Sequence, residues 1–323
     1  MITAFIQQGC KPLDETSEIP VYTDPGTGMW YVGKLITGGN AFYVKGYTIN
    51  NIQYAFLADG PKGLNIINVT NGVSPVLVSN YYTGGSAVEV FIDSLNGRPY
   101  AFLSDTEKGL FIIDVSYPSS PLLVTNISFP GISTVCRKDS VLFAAGNTDV
   151  KILNISGMPA VTEIGTYTAV NKVNHIEISG NVCYLVENIT GLEILNITDP
   201  SSPVQYSTFR TPGSCYDIKI ADNLGYVADG FTGLSVISIS NPSQPYFIRT
   251  KKTDSDVRKL DYSPNFLFSA ENTFGAEVFN LFDPSKPDMI GYFEPSGYCQ
   301  SVHFYKAKVL IANGIYGLLI LRF

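Results

Sequence analysis

Apolar positions along the chain gather into short runs separated by polar, glycine-bearing or proline-bearing breaks, and the runs themselves recur. "GLNIINV", "GLFIIDV", "GLEILNI" and "GLSVISI" are versions of one run, each opened by Gly-Leu. With that Gly as anchor, copies begin at Gly63, Gly109, Asp149, Gly191, Gly233, Gly275 and Gly317, spaced by 46, 40, 42, 42, 42 and 42 residues. A fixed period of this kind marks a repeat architecture, here of seven units. Before each anchor stands a second run, such as "YAFLAD", "YAFLSD" or "VCYLVE", and before that a third, such as "AVEVFI", "NHIEIS" or "YDIKIA". After it comes a polar turn ending at Pro75, Pro121, Pro159, Pro203, Pro245 or Pro287, then "VLVSNYYTGG" or a relative of it. Runs of about five residues bounded by Gly, Pro, Asn and Asp are strands, and four of them fill the period without room for a helix. Each unit is therefore predicted to be one four-stranded antiparallel sheet.

The chain ends define how the units are arranged. The seventh unit stops at Phe323, six residues past Gly317, and lacks its fourth strand. "YVGKLITGG" at 31–39 matches the apolar, Gly and turn pattern of "MIGYFEPSG" at 289–297, so the opening of the chain supplies the missing strand. Completion of the last unit by the first residues closes a ring, whereas an open solenoid needs capping ends. The predicted fold is all-β: a seven-bladed β-propeller of four-stranded antiparallel blades, closed by an N-terminal strand that completes the C-terminal blade. Residues 29–323 form this single domain, and residues 1–28 an N-terminal tail or docking arm.

The stretch "YAFLADGPKGLNIINVTNGVSPVLVSNYYTGG" resembles the LVIVP-repeat family, over about residues 43–323 plus the strand near 31–36. The resemblance implies a propeller, and a surface or secreted protein without a defined activity. The third unit departs from the pattern, with Asp149-Val150 in place of Gly-Leu and a turn two residues shorter, and a distorted blade is expected there.

Charge narrows the partners. The 21 basic and 28 acidic residues leave a net charge of −7, and no Lys/Arg stripe of the kind that phosphate binding requires is present. Nucleic acid is excluded as the expected partner, and no apolar run reaches the ~18–20 residues of a membrane helix. "MITAFIQQGC" lacks the pattern of a secretion signal. Cys10, Cys136, Cys183, Cys215 and Cys299 show no CxxC or CxxCH spacing, which speaks against a zinc knuckle or haem site, and all but Cys10 fall in predicted strands as small buried thiols. Sequons at Asn68, Asn126, Asn154, Asn188 and Asn196 point toward an extracellular or cell-surface location, although three of them arise from the repeat itself.

Two sets of residues are candidates for chemistry. Four positions before the anchors stand Asp59, Asp105, Ala145, Glu187, Asp229, Glu271 and Asn313, a ring whose carboxylates are read mainly as turn residues that bond nearby amides. Positions that differ between blades at the start of the inner strands are the stronger binding candidates: Glu89, His175, Tyr216, Asp217, Arg258 and Lys259, expected at the channel mouth on the face where the inner strands begin. They suit an anion, a sugar or a partner's side chain, or form a solvated salt-bridge collar. His175 and His303 are the only histidines, too few for a three-His metal centre, and there is no GxSxG elbow. No catalytic residue, metal or cofactor is assigned. The leading expectation is a non-enzymatic binding or scaffold propeller with a protein or glycan ligand. The alternatives are a carbohydrate-active hydrolase or lyase using upper-face carboxylates, and a structural subunit of a filament, coat or appendage; a homo-oligomer or assembly joined through the N-terminal segment is expected as a further partner.

Overall fold

The structure, a computed structural model, describes residues 29–323. The tail or arm expected over residues 1–28, with Cys10, lies outside the described residues. Among the described residues, twenty-eight strands, β1 to β28 in chain order, form seven four-stranded antiparallel sheets. Blades 1 to 6 occupy residues 43–81, 87–127, 132–168, 173–209, 217–251 and 259–293. Blade 7 is made of β26 (Ser301–Tyr305), β27 (Lys308–Ala312), β28 (Leu318–Arg322) and, from the other end of the chain, β1 (Trp30–Leu35). β1 runs antiparallel to β28 from Trp30 opposite Arg322 to Leu35 opposite Leu318, which is the ring closure anticipated from the sequence. Val32 and Leu35 thereby cover Leu310, Leu318 and Ile320. No helix of the described residues is long and apolar enough to cross a membrane.

Burial follows the radius of the ring. The second strand of each blade lies between two neighbouring blades, so both its faces are covered and its sequence reads as a continuous apolar run; Ala55 to Ala58 are wholly buried. The fourth strand lies at the rim and exposes residues such as Val76, Leu122 and Val204. The core is accordingly seven apolar clusters, most of them sandwiched between adjacent blades, as with Phe56 and Ile66 of blade 1 against Val90 and Leu103 of blade 2.

Two local rules explain the repeat. The anchor Gly of six blades has positive φ, from 75° at Gly317 to 129° at Gly275, and a Cβ on any of them would come within 2.4 Å of a fourth-strand carbonyl such as Tyr81 O or Phe209 O. Only Gly satisfies both constraints. The polar exit turn is built from side-chain caps: Asn196 Oδ1 accepts from Thr198 N at 2.9 Å and Asp199 Oδ1 from Ser201 N at 3.0 Å, with the same pattern at Asn68 and Asn71. Three of the sequons are thus accounted for by turn chemistry, since Asn154 makes the same bond to Ser156 N.

Blade 3 is not distorted, contrary to the expectation drawn from its missing Gly-Leu. Its four strands pair in order, and Gly146 opposite Asp149 closes a tight two-residue hairpin. The hairpin places Asn147, at φ 54°, in the left-handed conformation, so the anchor position no longer needs it. The departure is absorbed in the turns.

Candidate functional site

The inner strands β2 (Tyr43–Ile49), β6 (Ala87–Leu95), β10 (Ile132–Lys138), β14 (Val173–Ser179), β18 (Asp217–Ala221), β22 (Lys259–Ser263) and β26 surround the central axis. Alternation along a strand sends every second side chain inward, giving two stacked layers. The layer nearer the upper face, where these strands begin, contains Tyr43, Glu89, Thr134, His175, Asp217, Lys259 and Ser301. The layer below contains Lys45, Phe91, Cys136, Glu177, Lys219, Asp261 and His303.

The upper layer closes the channel. Lys259 Nζ reaches across to Glu89 Oε2 at 3.3 Å, His175 Nε2 lies 3.1 Å from Asp217 Oδ1, and His175 Nδ1 lies 3.7 Å from Glu89 Oε2. Tyr43 lies beneath the Lys259 ammonium, 5.3 Å from its ring centroid. Glu89, His175 and Asp217 are only 4%, 5% and 0% exposed, so the solvated collar expected at the mouth is instead a buried septum. The physical reason is reach: across a seven-bladed axis, Lys259 and Glu89 from non-adjacent blades meet and cover one another.

These side chains also join the blades. Glu89 Oε1 accepts from Val135 N at 3.2 Å, Asp217 Oδ2 from Leu260 N at 2.8 Å, and Ser301 Oγ from Val44 N at 3.0 Å. In each case one blade binds the inner-strand backbone of the next. Burial works to raise the Glu89 carboxyl, but the Lys259 ammonium together with His175 and Thr134 overrides it and holds the group down at about 2.

Below the septum lies a cavity of about 270 Å³ lined by both layers, including Tyr43, Lys45, Phe91, Glu177, Lys219 and Tyr262. Its charges are mutually compensated. Lys219 Nζ donates to Glu177 Oε2 at 2.9 Å and lies 3.6 Å from Asp217 Oδ1, while Asp261 lies 3.1 Å from His303 Nδ1 and 3.7 Å from Lys45. Burial opposes ionisation of Glu177, yet Lys219 and His175 bring it to about 2; burial likewise opposes Asp261, and His303 and Lys45 hold it well below the usual carboxylate range. Lys219, which burial alone would depress, is raised well above the ordinary lysine value by Asp217 and Glu177. The second layer was missed in the sequence, although stepping two residues along each aligned inner strand identifies all of it.

Tyr216 and Arg258 sit elsewhere. They precede β18 and β22 on the upper face, where the Arg258 guanidinium stacks on the Tyr216 ring at 4.1 Å and is held by Asp256 at 2.5 Å. A Cβ on Gly230 would stand 3.3 Å from Tyr216 Cε2 and 3.4 Å from Asp256 Oδ1, so this stack lies directly beside the hairpin that carries Phe231.

That hairpin belongs to a larger feature. The two residues before each anchor form the tip of the hairpin between second and third strands. They read Pro61-Lys62, Glu107-Lys108 and Asn147-Thr148 in blades 1 to 3, but Ile189-Thr190, Phe231-Thr232, Thr273-Phe274 and Ile315-Tyr316 in blades 4 to 7. Phe231, Ile189 and Ile315 are 80%, 66% and 64% exposed. Val170 and Tyr298, on the connections between blades 3 and 4 and blades 6 and 7, are exposed on the same face; Tyr82 is the exposed aromatic residue of the opposite arc. The upper face thus has an apolar crescent over four consecutive blades, with the Tyr216–Arg258 stack within it, and a mostly polar arc over the other three.

The carboxyls under these tips are all buried. Asp105 accepts from Glu107 N and Lys108 N at 3.0 Å each, and from Thr83 of the preceding blade at 2.5 Å. Asp229 accepts from Gly213 N at 3.1 Å and Ser235 Oγ at 2.8 Å, and Asp59 from Asn65 Nδ2 at 2.8 Å. They serve as latches inside and between blades.

This geometry defines the chain as a β-propeller. The model of the LVIVD repeat matches residues 53–83, 94–128, 171–211 and 212–253, in blades 1, 2, 4 and 5, so the propeller carries LVIVD repeats, the repeat anticipated under the name LVIVP. Among solved structures, the chain is similar to the computationally designed Ika8 protein, with a TM-score of 0.60 and 11% identity over 91% of this chain and 99% of that one, a likeness of fold alone. No curated protein matches the chain.

Proposed function

We propose that the protein is a non-enzymatic binding propeller that holds a protein partner on the apolar crescent of blades 4 to 7. The observation that carries this reading is the run of four adjacent hairpin tips that each contain an apolar or aromatic residue, exposed at Ile189, Phe231 and Ile315 and half-buried against Tyr292 at Phe274, against three tips that contain none beyond Pro61. Exposed apolar clusters with a polar border are characteristic of interaction sites, and Tyr and Arg of the kind stacked at Tyr216 and Arg258 are enriched among residues that dominate binding energy. Aliphatic tips such as Ile189 and Ile315 suit apolar side chains of a protein better than a sugar, which favours aromatic platforms beside accessible carboxylates. The non-enzymatic part is supported by the pairing of the channel ions with one another and by the burial of the carboxyls beneath the tips.

The test is affinity capture from extracts of the source cell with three proteins: the unmodified chain, Ile189→Ser/Phe231→Ser/Ile315→Ser, and a Lys62→Ala/Glu107→Ala control on the polar arc. A partner identified by mass spectrometry should bind the first and third and be lost from the second, at unchanged melting temperature. Equal recovery on all three would remove the crescent from the account.

A further inference from the structure

Beneath the hairpin tips one pair of positions holds an acid and a neutral donor in blades 1 and 5 but two acids in blades 4 and 6. The residue four before the anchor and the residue two after it are diagonal neighbours on the second and third strands, on the same face of the sheet. In blade 1 this pair is Asp59 with Asn65, and in blade 5 Asp229 with Ser235, each an acceptor facing a neutral donor at 2.8 Å. In blade 4 it is Glu187 with Glu193, and in blade 6 Glu271 with Glu277. All four of these carboxyls are at most 3% exposed. Two ionised carboxylates cannot hydrogen-bond to each other, and burying both charges in contact is costly. The donor that Asn65 and Ser235 provide elsewhere must here be a proton on one carboxyl.

We propose that blades 4 and 6 are each latched by one buried proton shared between two glutamates, and that loss of these protons loosens the hairpin tips carrying Ile189 and Phe274, making the crescent pH-gated. The inference rests on the crescent being the binding surface, and it adds a regulatory device to that surface.

The surroundings of each pair agree with a shared proton. Glu193 already accepts from Tyr167 Oη at 2.5 Å and from Val170 N at 3.2 Å, and Glu187 accepts from Thr190, within the tip itself. Glu271 Oε1 accepts from Ser269 Oγ at 2.8 Å. Glu187 Oε1 and Glu271 Oε2 are buried without a hydrogen bond of ordinary geometry among the described residues, and the backbone groups of Asn171 and Ser255 near the two carboxyls lower them only in part. The titratable groups facing the blade 4 pair are Tyr167, Cys183 and Cys215. Those facing the blade 6 pair are Asp254, Lys251 and Cys299. Burial, with Glu193 beside it, raises Glu187 to about 7; burial and Glu277 raise Glu271 to about 9. Protonation is therefore complete at acid pH, half lost near neutrality in blade 4, and kept to higher pH in blade 6.

The tips are tied to the next blade by backbone bonds that report opening. Asn188 O accepts from Cys215 N at 2.9 Å and Asn272 O from Cys299 N at 2.8 Å; the equivalent bonds over the donor-bearing pairs run from Ala87 N to Gly60 O and from Val257 N to Gly230 O. Amide hydrogen exchange followed by NMR from about pH 6 to about pH 9, with the intrinsic base-catalysed rate divided out, reads them directly. Protection should fall about 10-fold for each pH unit, at Cys215 until it levels off near pH 7 and at Cys299 until near pH 9, while Ala87 and Val257 keep theirs and Glu187→Gln/Glu271→Gln shows no fall. Constant protection at Cys215 and Cys299 in the unmodified chain, or an equal fall at Ala87 and Val257, would overturn the proposal. Carboxyl ¹³C titration of the unmodified chain decides the matter even if the variant does not fold, because ordinary glutamate midpoints at Glu187 and Glu271 are incompatible with a shared proton. None of these measurements requires the partner, so failure of the capture experiment and failure of the latch are separately visible.

Discussion

The channel septum and the blade tops both bury carboxyl groups, and they solve the resulting electrostatic problem in opposite ways. In the channel, Glu89, Glu177 and Asp261 face Lys259, Lys219, Lys45 and His303, and the ionised form is favoured despite burial. At the tops of blades 4 and 6, glutamate faces glutamate and the protonated form is favoured. What decides the outcome is the charge of the residue opposite, since desolvation pushes both sets the same way. The consequence is a molecule whose axis is held by charge and part of whose upper face is held by protons.

The largest effect should come from breaking the charge-held region. Lys219→Met leaves Glu177 and Asp217 without their common cation, and removing one partner of a buried ion pair costs about 3–5 kcal/mol; urea denaturation at neutral pH measures it.

A pH profile of melting temperature separates the two regions by sign. The channel carboxylates have depressed folded-state values, so their contribution is present above the ordinary carboxylate range and lost as pH falls toward about 2. The blade-top acids have raised values, so their contribution is complete below the ordinary glutamate value of 4.5 and is lost as pH rises toward about 7 for Glu187 and about 9 for Glu271. Glu187→Gln/Glu271→Gln should flatten the alkaline side, recovering about 1–3 kcal/mol there, and leave the acid side unchanged.

Blade 5 allows the comparison to be built rather than broken. Ser235→Glu places a second carboxyl beside Asp229 and should make this blade behave like its neighbours, with a loss of about 1–2 kcal/mol at pH above neutrality that shrinks in acid; a pH-independent loss would mean that size, not charge, dominates. The smallest effect belongs to the exposed tips: Phe231→Ser should change folding stability by no more than about 0.5 kcal/mol, because its side chain is 80% exposed, while still weakening partner capture.

Much of this was legible in the chain. The anchor Gly marks a backbone position where a Cβ would strike a fourth-strand carbonyl, so the repeat announces itself wherever that constraint holds. The strand lent by Val32 and Leu35 was readable because an incomplete seventh unit has one matching fragment, at the opposite end. The site was less legible. Glu89, His175, Asp217 and Lys259 were identified as variable inner-strand positions, but alignment within one repeat contains no distance across the ring, and their contacts run between blades 2, 4, 5 and 6. For the same reason Tyr216 and Arg258, adjacent in sequence to channel residues, could not be separated from them. One strand residue earlier is enough to move a side chain out of the septum and onto the upper face.

By itself, the sequence determined the unit, the number of units and the closure, because each rests on short-range constraints: strand alternation, a Gly that cannot carry a side chain, and Asx-capped turns repeated at a set period. Only the tertiary structure decided that the channel is sealed by charges, that two blade tops pair acid with acid, and that four hairpin tips merge into one apolar crescent. These depend on which side chains the closed ring brings face to face, and electrostatic and surface properties belong to neighbours in space rather than neighbours along the chain.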